Sequence, residues 1–526
     1  MKAANARSCL QPPARFVGTR RGYRLPLLLA HLAVLQTLVP TGSAVAQAPS
    51  PPRINPTTSL QSRAAEVGLR TVLTVNATGT APLSYQWRLN GRFLEGATTG
   101  TLRLDPVKPE DEGDYLVEVS NASGTATSEP ARLYVVPPLT EFIREDFTNA
   151  AGLRLPWYHH LPAAYDPARK YPVVIGFHGA PNDEVSFMSP PSQYLYPRVL
   201  SSYGQQAANP VIAVWPTRRK GDHAWTDPYL QLVADLVDSL PARFGIDTNR
   251  LYLRGVSEGG HAVWDLLALR PGKFAAANIY AGEQGKARAA TIQDVPLWLF
   301  HAADDFPDSS RVMVRQLRQA GGNPIYTEYQ SGGHFDAILM AFVTAPANDW
   351  LLSQRLAKSS PSNPLLEITL PVTTNFQLTG ATTASLSGTA QGILGFVSAV
   401  NWENFSNGAK GTASGSNSWN AVNIRLQPDR TNAVVVTATT RSGAPAFRGG
   451  TTFNDTLRIV SRPVRLSLQR QPQGLLLDWT GGVPPFRIQS GDDLADGDWR
   501  DIPGPLDPPV ILPAQLSHEF FRIVGQ

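Results

Sequence analysis

Leu251-Tyr252-Leu253-Arg254-Gly255-Val256-Ser257-Glu258-Gly259-Gly260 is the stretch on which the fold turns. An apolar run leads into a serine flanked by glycines, and a helix-like run follows over 260–269. Glycines on both sides permit a sharp, strained turn and let the following helix approach the preceding strand closely. A G-x-S-x-G pattern in a chain this rich in glycine and serine arises by chance in roughly one shuffled chain in four, so the strand before it and the helix after it carry the weight. Strand, sharp turn and helix in that order place Ser257 at the C-terminal end of a strand, where open parallel sheets carry their sites.

Working outward, residues 141–357 alternate buried-looking strands with amphipathic helices, the pattern of a mostly parallel, doubly wound sheet. Strands are expected at 171–177, 210–215, 251–256, 274–280, 295–300 and 325–329, with helices at 229–244, 260–269 and 309–320. A serine hydroxyl needs an imidazole to take its proton and a carboxylate to hold that imidazole. Asp305 follows the strand at 295–300 in His301-Ala302-Ala303-Asp304-Asp305-Phe306-Pro307, and His334 follows the strand at 325–329 in Gly332-Gly333-His334-Phe335. Asp304 and, more remotely, Asp308 compete with Asp305 as the acid.

These segments together resemble the esterase branch of the α/β-hydrolases, which includes feruloyl and acetyl-xylan esterases, polyhydroxyalkanoate depolymerases and prolyl-oligopeptidase-like relatives. The resemblance implies Ser257 as nucleophile, Asp305 as acid and His334 as base. It also implies an oxyanion hole formed by the backbone of Glu258 and by Ala180 or Gly179 of the Phe177-His178-Gly179-Ala180 loop. Ala302 stands where the family has glycine. Glu258 stands where relatives carry an apolar residue, and its carboxylate opposes a developing anion unless it reaches solvent or a cation. His178, His223 and Trp225 are weaker candidates for substrate contact. The implied activity is carboxylic-ester hydrolysis through an acyl-enzyme, without a cofactor, on a substrate that includes polymeric carbohydrate or polyester. A prolyl-oligopeptidase-like peptidase and an adhesion or carbohydrate-binding protein with an inert hydrolase domain are the alternatives.

The flanking segments read as all-β. Residues 60–138 have short strands with turn residues between them. Trp87 in Tyr85-Gln86-Trp87 and the run Asp111-Glu112-Gly113-Asp114-Tyr115 resemble the strand-C tryptophan and tyrosine corner of an immunoglobulin-like sandwich, and that resemblance puts Val75 and Val117 at the half-cystine positions. Residues 365–462 resemble a bacterial Ig-like or fibronectin-like sandwich and 463–526 a further small one, with 47–59 and 358–364 as linkers. Trp402, Trp419, Trp479 and Trp499 are expected in the cores of these modules rather than as sugar-stacking platforms.

Residues 1–46 read as an export signal: basic residues, an apolar run over 25–39 too short to span a bilayer, and Ala44-Val45-Ala46 before Gln47. Arg20-Arg21 loosely resembles a twin-arginine signal, although an ordinary secretory signal fits as well. A secreted or periplasmic protein with no stable transmembrane anchor is expected. Cys9, the sole cysteine, lies inside this segment, which excludes disulfides and thiol catalysis after cleavage. The formal charge of +4 also comes from here, since six basic and no acidic residues fall within 1–46. Nothing in the charge balance speaks for nucleic-acid binding. His159-His160 has no third ligand at metal spacing, so no metal is expected.

Overall fold

The computed structural model describes residues 48–526 apart from 56–59, 181–195, 221, 223, 284, 286, 357–364, 371–374, 379–381, 442–448, 462–464, 481–485, 492–499, 503–507, 514–519 and 525–526. The expected signal at 1–46, the linker at 358–364, His223 and Trp499 therefore lie outside the described residues.

The N-terminal module folds around its own core. Strand Gly113–Asn121 sits between Ser84–Leu89 and Ala131–Val136, and Arg63–Glu66 adds on in parallel. Trp87, Tyr115, Val75, Val117 and Leu133 are buried together. Trp87 Nε1 donates to Thr99 O at 2.8 Å, and Tyr115 Oη donates to Asp111 O at 2.8 Å, so the polar ends of both large rings are satisfied. Val75 and Val117 face one core, where apolar contact closes the sandwich without a bridge.

The central sheet begins with the antiparallel strands Ile143–Thr148 and Arg154–His160. It continues through Ile212–Pro216, Tyr171–Phe177, Ile246–Val256, Ala276–Tyr280, Leu297–Ala302 and Ile325–Tyr329. From Ile212–Pro216 onward these neighbours run parallel. Strands Tyr171–Phe177, Ile212–Pro216, Ala276–Tyr280 and Leu297–Ala302 are buried along their whole length, which is why the sequence shows apolar runs there instead of alternation. Val173 and Ile175 pack into the core shared with helices Asp227–Ser239, Glu258–Leu269 and Asp308–Ala320, while Val174 points to the opposite face with Leu351 of helix Ala345–Ser353. Helices thus cover both faces.

The sheet does not stop at Ile325–Tyr329. Strand Gly449–Ser461 pairs antiparallel with it, Thr327 opposite Thr451, and Arg430–Arg441, Phe396–Asn404 and Ala409–Thr412 continue the same sheet. A second sheet, Leu366–Leu370, Thr383–Ala390, Ser418–Arg425 and Ser414–Gly415, lies in the same core: Leu386, Trp419, Val436 and Phe453 pack with Tyr280, Trp298 and Phe300. The boundary expected near residues 358–364 is therefore bridged by backbone pairing and by side chains. The two sheets after 465 enclose a small core of Leu477, Trp479, Phe486, Ile488, Val510 and Leu512. Trp402, Trp419 and Trp479 are all buried.

Candidate active site

Strand Ile246–Val256 ends at Ser257, whose backbone takes φ 52° and ψ −123° before helix Glu258–Leu269 begins. Such a conformation costs a non-glycine residue about 1–3 kcal/mol and persists only where its surroundings impose it. Two glycines make the turn possible through close approach. A Cβ on Gly255 would lie 2.1 Å from Gly259 O, and one on Gly259 would lie 2.4 Å from Phe177 O. Ser257 N donates to Tyr280 O at 2.8 Å, tying the apex to the next strand.

Asp305 and His334 are brought together from neighbouring strand ends. Asp305 follows Leu297–Ala302; His334 is the second residue of helix Gly333–Phe342, just beyond Ile325–Tyr329. His334 Nδ1 and Asp305 Oδ2 are 2.7 Å apart, with the carboxylate nearly enclosed and the imidazole about one-third exposed. A carboxylate at that distance accepts from Nδ1–H, which leaves Nε2 as a lone-pair acceptor. Asp304 does other work: its carboxylate accepts from Gly332 N at 3.2 Å and Gly333 N at 2.9 Å, pinning the loop that presents His334. His301 braces the acid from below, Nε2 donating to Asp305 O at 2.6 Å and Nδ1 bonded to Ser310 Oγ at 3.0 Å. Burial pushes the His301 pKa down, so this imidazole is neutral and acts as a fixed donor.

On the other side of the serine lies the loop after strand Tyr171–Phe177. A Cβ placed on Gly179 would be 3.1 Å from Ser257 Cβ and 3.7 Å from Ser257 Oγ, so the backbone of this loop faces the hydroxyl directly. Fully buried Arg218 binds both candidate donor segments at once. Its Nη1 meets Glu258 Oε2 at 2.8 Å and its Nη2 lies 3.5 Å from Gly179 O. The carboxylate directly after Ser257 is thereby held by a cation. His178 and Trp225 are buried as supports of this loop: His178 Nδ1 bonds Gly179 O at 3.0 Å, Arg218 N donates to His178 Nε2 at 3.4 Å, and Trp225 Nε1 donates to His178 O at 3.0 Å. Arg218 carries no motif of its own, whereas His301 opens the His301-Ala302-Ala303-Asp304-Asp305 segment quoted from the sequence, although its bracing role could not be read there. For Arg218 the only signal in the sequence is the demand Glu258 makes for a cation.

Phe306 and Phe335, immediately after the acid and the histidine, are 86% and 64% exposed, and Phe306 holds φ 48°. Among the described residues no group of three His, Cys, Asp or Glu side chains could hold a metal, and no helix is long and apolar enough to cross a membrane.

An immunoglobulin-domain family model matches residues 51–121. Among solved structures, a thermostable esterase is similar over 52% of this chain and 90% of its own, at 22% identity and TM-score 0.38. A ferulic acid esterase from Anaeromyces mucronatus, solved with ferulic acid, covers 40% of this chain and 90% of its own at 16% identity and TM-score 0.33. An esterase from Thermogutta terrifontis covers 43% and 97% at 16% identity and TM-score 0.32. At TM-scores this low the likeness carries no functional weight.

Proposed function

We propose that this chain is an exported serine hydrolase of carboxylic esters, with Ser257 as nucleophile, His334 as general base and Asp305 as the acid that orients it. The observation that carries this is the 2.7 Å bond from His334 Nδ1 to Asp305, at a strand end of the same sheet whose strained turn presents Ser257. The bond holds the proton on Nδ1, so Nε2 is the atom that takes the Ser257 proton as Oγ attacks the ester carbonyl. The protonated imidazole then donates to the leaving alcohol, water enters by the same route, and the acyl-enzyme is cleaved. The developing oxyanion is met by the backbone N–H of Glu258 and of Ala180 or Gly179, each such donor worth about 3–4 kcal/mol to the rate. Arg218 supports this hole as a positioning residue: it neutralises Glu258 and holds Gly179, the two segments whose donors must converge. Ester is preferred over peptide on the resemblance to the esterase branch as a whole; the His301–Asp305 and Gly333–His334 segments are shared by prolyl-oligopeptidase-like relatives, so the choice falls to the ester and prolyl-amide assays. The β-modules act as spacers, anchors or walls of the entrance.

Fluorophosphonate labelling of the full chain, followed by peptide mapping, tests the reading: the adduct is expected on Ser257. Ser257→Ala is expected to lower hydrolysis of p-nitrophenyl acetate by at least about 10⁴-fold. Asp305→Asn should cost about as much as triad acids usually do, ~10⁴-fold, while Asp304→Asn costs far less. Retained activity in Ser257→Ala would sink the mechanism. Turnover of a prolyl amide but of no ester would overturn the substrate class.

A further inference from the structure

A cavity of about 340 Å³ opens on the flank of helix Asp308–Ala320, between that helix and the strands after residue 396. The helix contributes Arg311, Arg315 and Arg318 from one face, and the facing wall contributes Trp402, Phe405 and Lys410. The volume falls near the lower end of the range for small-ligand sites, enough for one or two sugar-sized rings.

The four cations are not equivalent. Arg311 is held by Glu328 at 2.7 and 2.8 Å and by Asp308 at 2.9 Å. Arg315 makes a two-point pair with Glu403 at 2.7 and 3.1 Å. Arg318, the least exposed of the four, has only neutral partners among the described residues: Nε donates to Asn454 Oδ1 at 3.0 Å and Nη2 to Thr452 Oγ1 at 3.0 Å. Burial without a carboxylate pushes its pKa down to about 10. Lys410 stands opposite Glu403 in the strand ladder, but that carboxylate is already committed to Arg315, and no ion pair to Lys410 is found among the described residues. An enclosed guanidinium with its fork half used, beside an unpaired ammonium, presents charge for an anion it does not yet hold.

We propose that this cavity binds a carboxylated sugar, a uronate unit of an acidic saccharide. The planar carboxylate matches the free side of the Arg318 guanidinium, with Lys410 as the second contact. Asn401, whose Oδ1 accepts from Thr412 Oγ1 at 2.8 Å, keeps its amide N–H groups for sugar hydroxyls. Phe405, with the Arg315 guanidinium 5.0 Å from its ring centroid, and the largely buried Trp402 form the apolar part of the lining. The site stands independently of the esterase reading, since none of Ser257, Asp305 and His334 lines it.

Titration calorimetry of the full chain at low salt decides it, with trigalacturonate, neutral xylotriose and inorganic phosphate as probes. Saturable binding of trigalacturonate that weakens as salt is raised, with xylotriose and phosphate at least tenfold weaker, is the expected result. Arg318→Met should lower the affinity tenfold or more, and exposed Lys410→Met three- to fivefold with an unchanged melting temperature. Ser257→Ala should bind as the parent does, which separates this site from the catalytic one. Absence of saturable binding, equal binding of xylotriose or phosphate, or a Lys410→Met protein that binds like the parent would each overturn the proposal. Should Arg318→Met fail to fold, the Lys410 variant and the salt dependence still decide.

Discussion

The two β-modules that flank the central sheet are attached by different physics. The N-terminal one closes its own core around Trp87 and meets the sheet domain through a small apolar patch, Ala64, Tyr134 and Val136 against Val199 and Val343, flanked by polar and charged contacts but without shared strand pairing. Glu112 accepts from Ser202 Oγ and Gly204 N at 2.7 Å each, and buried Arg198 reaches Glu66 at 2.8 Å and Pro137 O at 2.8 Å. The C-terminal one shares both backbone and core: Gly449–Ser461 extends the sheet, and Phe453 packs in one cluster with Trp298 and Phe300. A small seam of side-chain contacts, with each body keeping its own core, can part and leave two folded bodies. A shared sheet cannot, because parting it exposes a strand edge and an apolar face together.

The largest expected effect comes from breaking each joint outright. A chain ending at residue 356 should lose cooperative melting and solubility, since Ile325–Tyr329 becomes an edge and Tyr280, Trp298 and Phe300 lose their cover. A chain beginning at residue 139 should keep a cooperative transition. Circular dichroism melts and sedimentation of the two truncations check this, and equal behaviour would erase the distinction. Next in size are two core truncations. Phe453→Ala and Trp87→Ala, both at buried rings, should each cost about 3–5 kcal/mol. The first should lower the melting of the central domain as well, while the second should leave it unchanged, as read by hydrogen exchange resolved along the chain.

Acid sharpens the contrast from the seam side. His160, buried against Phe142 with ring centroids 4.8 Å apart, has its pKa pushed down to about 4, first by burial and then by the charges of His159 and Arg198. A base depressed on folding contributes stability above its unfolded pKa near 6.5 and loses it as pH falls through about 4. The loss amounts to about 3 kcal/mol, and His160→Gln should flatten that limb of the stability–pH curve. Glu112 has the opposite sign and the smallest expected effect. Burial raises its pKa above 4.5, so its contribution is present at lower pH and fades as pH rises through the folded value. Glu112→Gln should remove that dependence, measured as proteolytic release of the N-terminal module across pH 4–8.

Much of the central domain was legible because its strands and helices are each set by local pattern. The strands expected at 171–177 and 325–329 coincide with Tyr171–Phe177 and Ile325–Tyr329, and the helix expected at 309–320 with Asp308–Ala320. The extension of the sheet past Tyr329 was not legible. Strand Gly449–Ser461 pairs with a partner more than a hundred residues earlier, and an alternating strand has the same pattern whether it closes a free sandwich or borders another sheet. At the site, the order of serine, acid and histidine could be read along the chain, and spacing favoured Asp305 while leaving adjacent Asp304 as a competitor. Asp304 and Asp305 differ only in which way each side chain points, one to the glycine amides at 332 and 333, the other to His334.

What the sequence by itself determined is the turn that displays Ser257, because Gly255 and Gly259 are the residues that let strand, helix and loop approach within contact, and that requirement is written locally. What only the tertiary structure decided is the surroundings of that serine. The Glu258 carboxylate next to Ser257 is neutralised because Arg218, forty residues earlier in the chain, is folded against it with no exposure to water. Pairwise charge compensation depends on distance in space, and distance in space is what a linear sequence does not record.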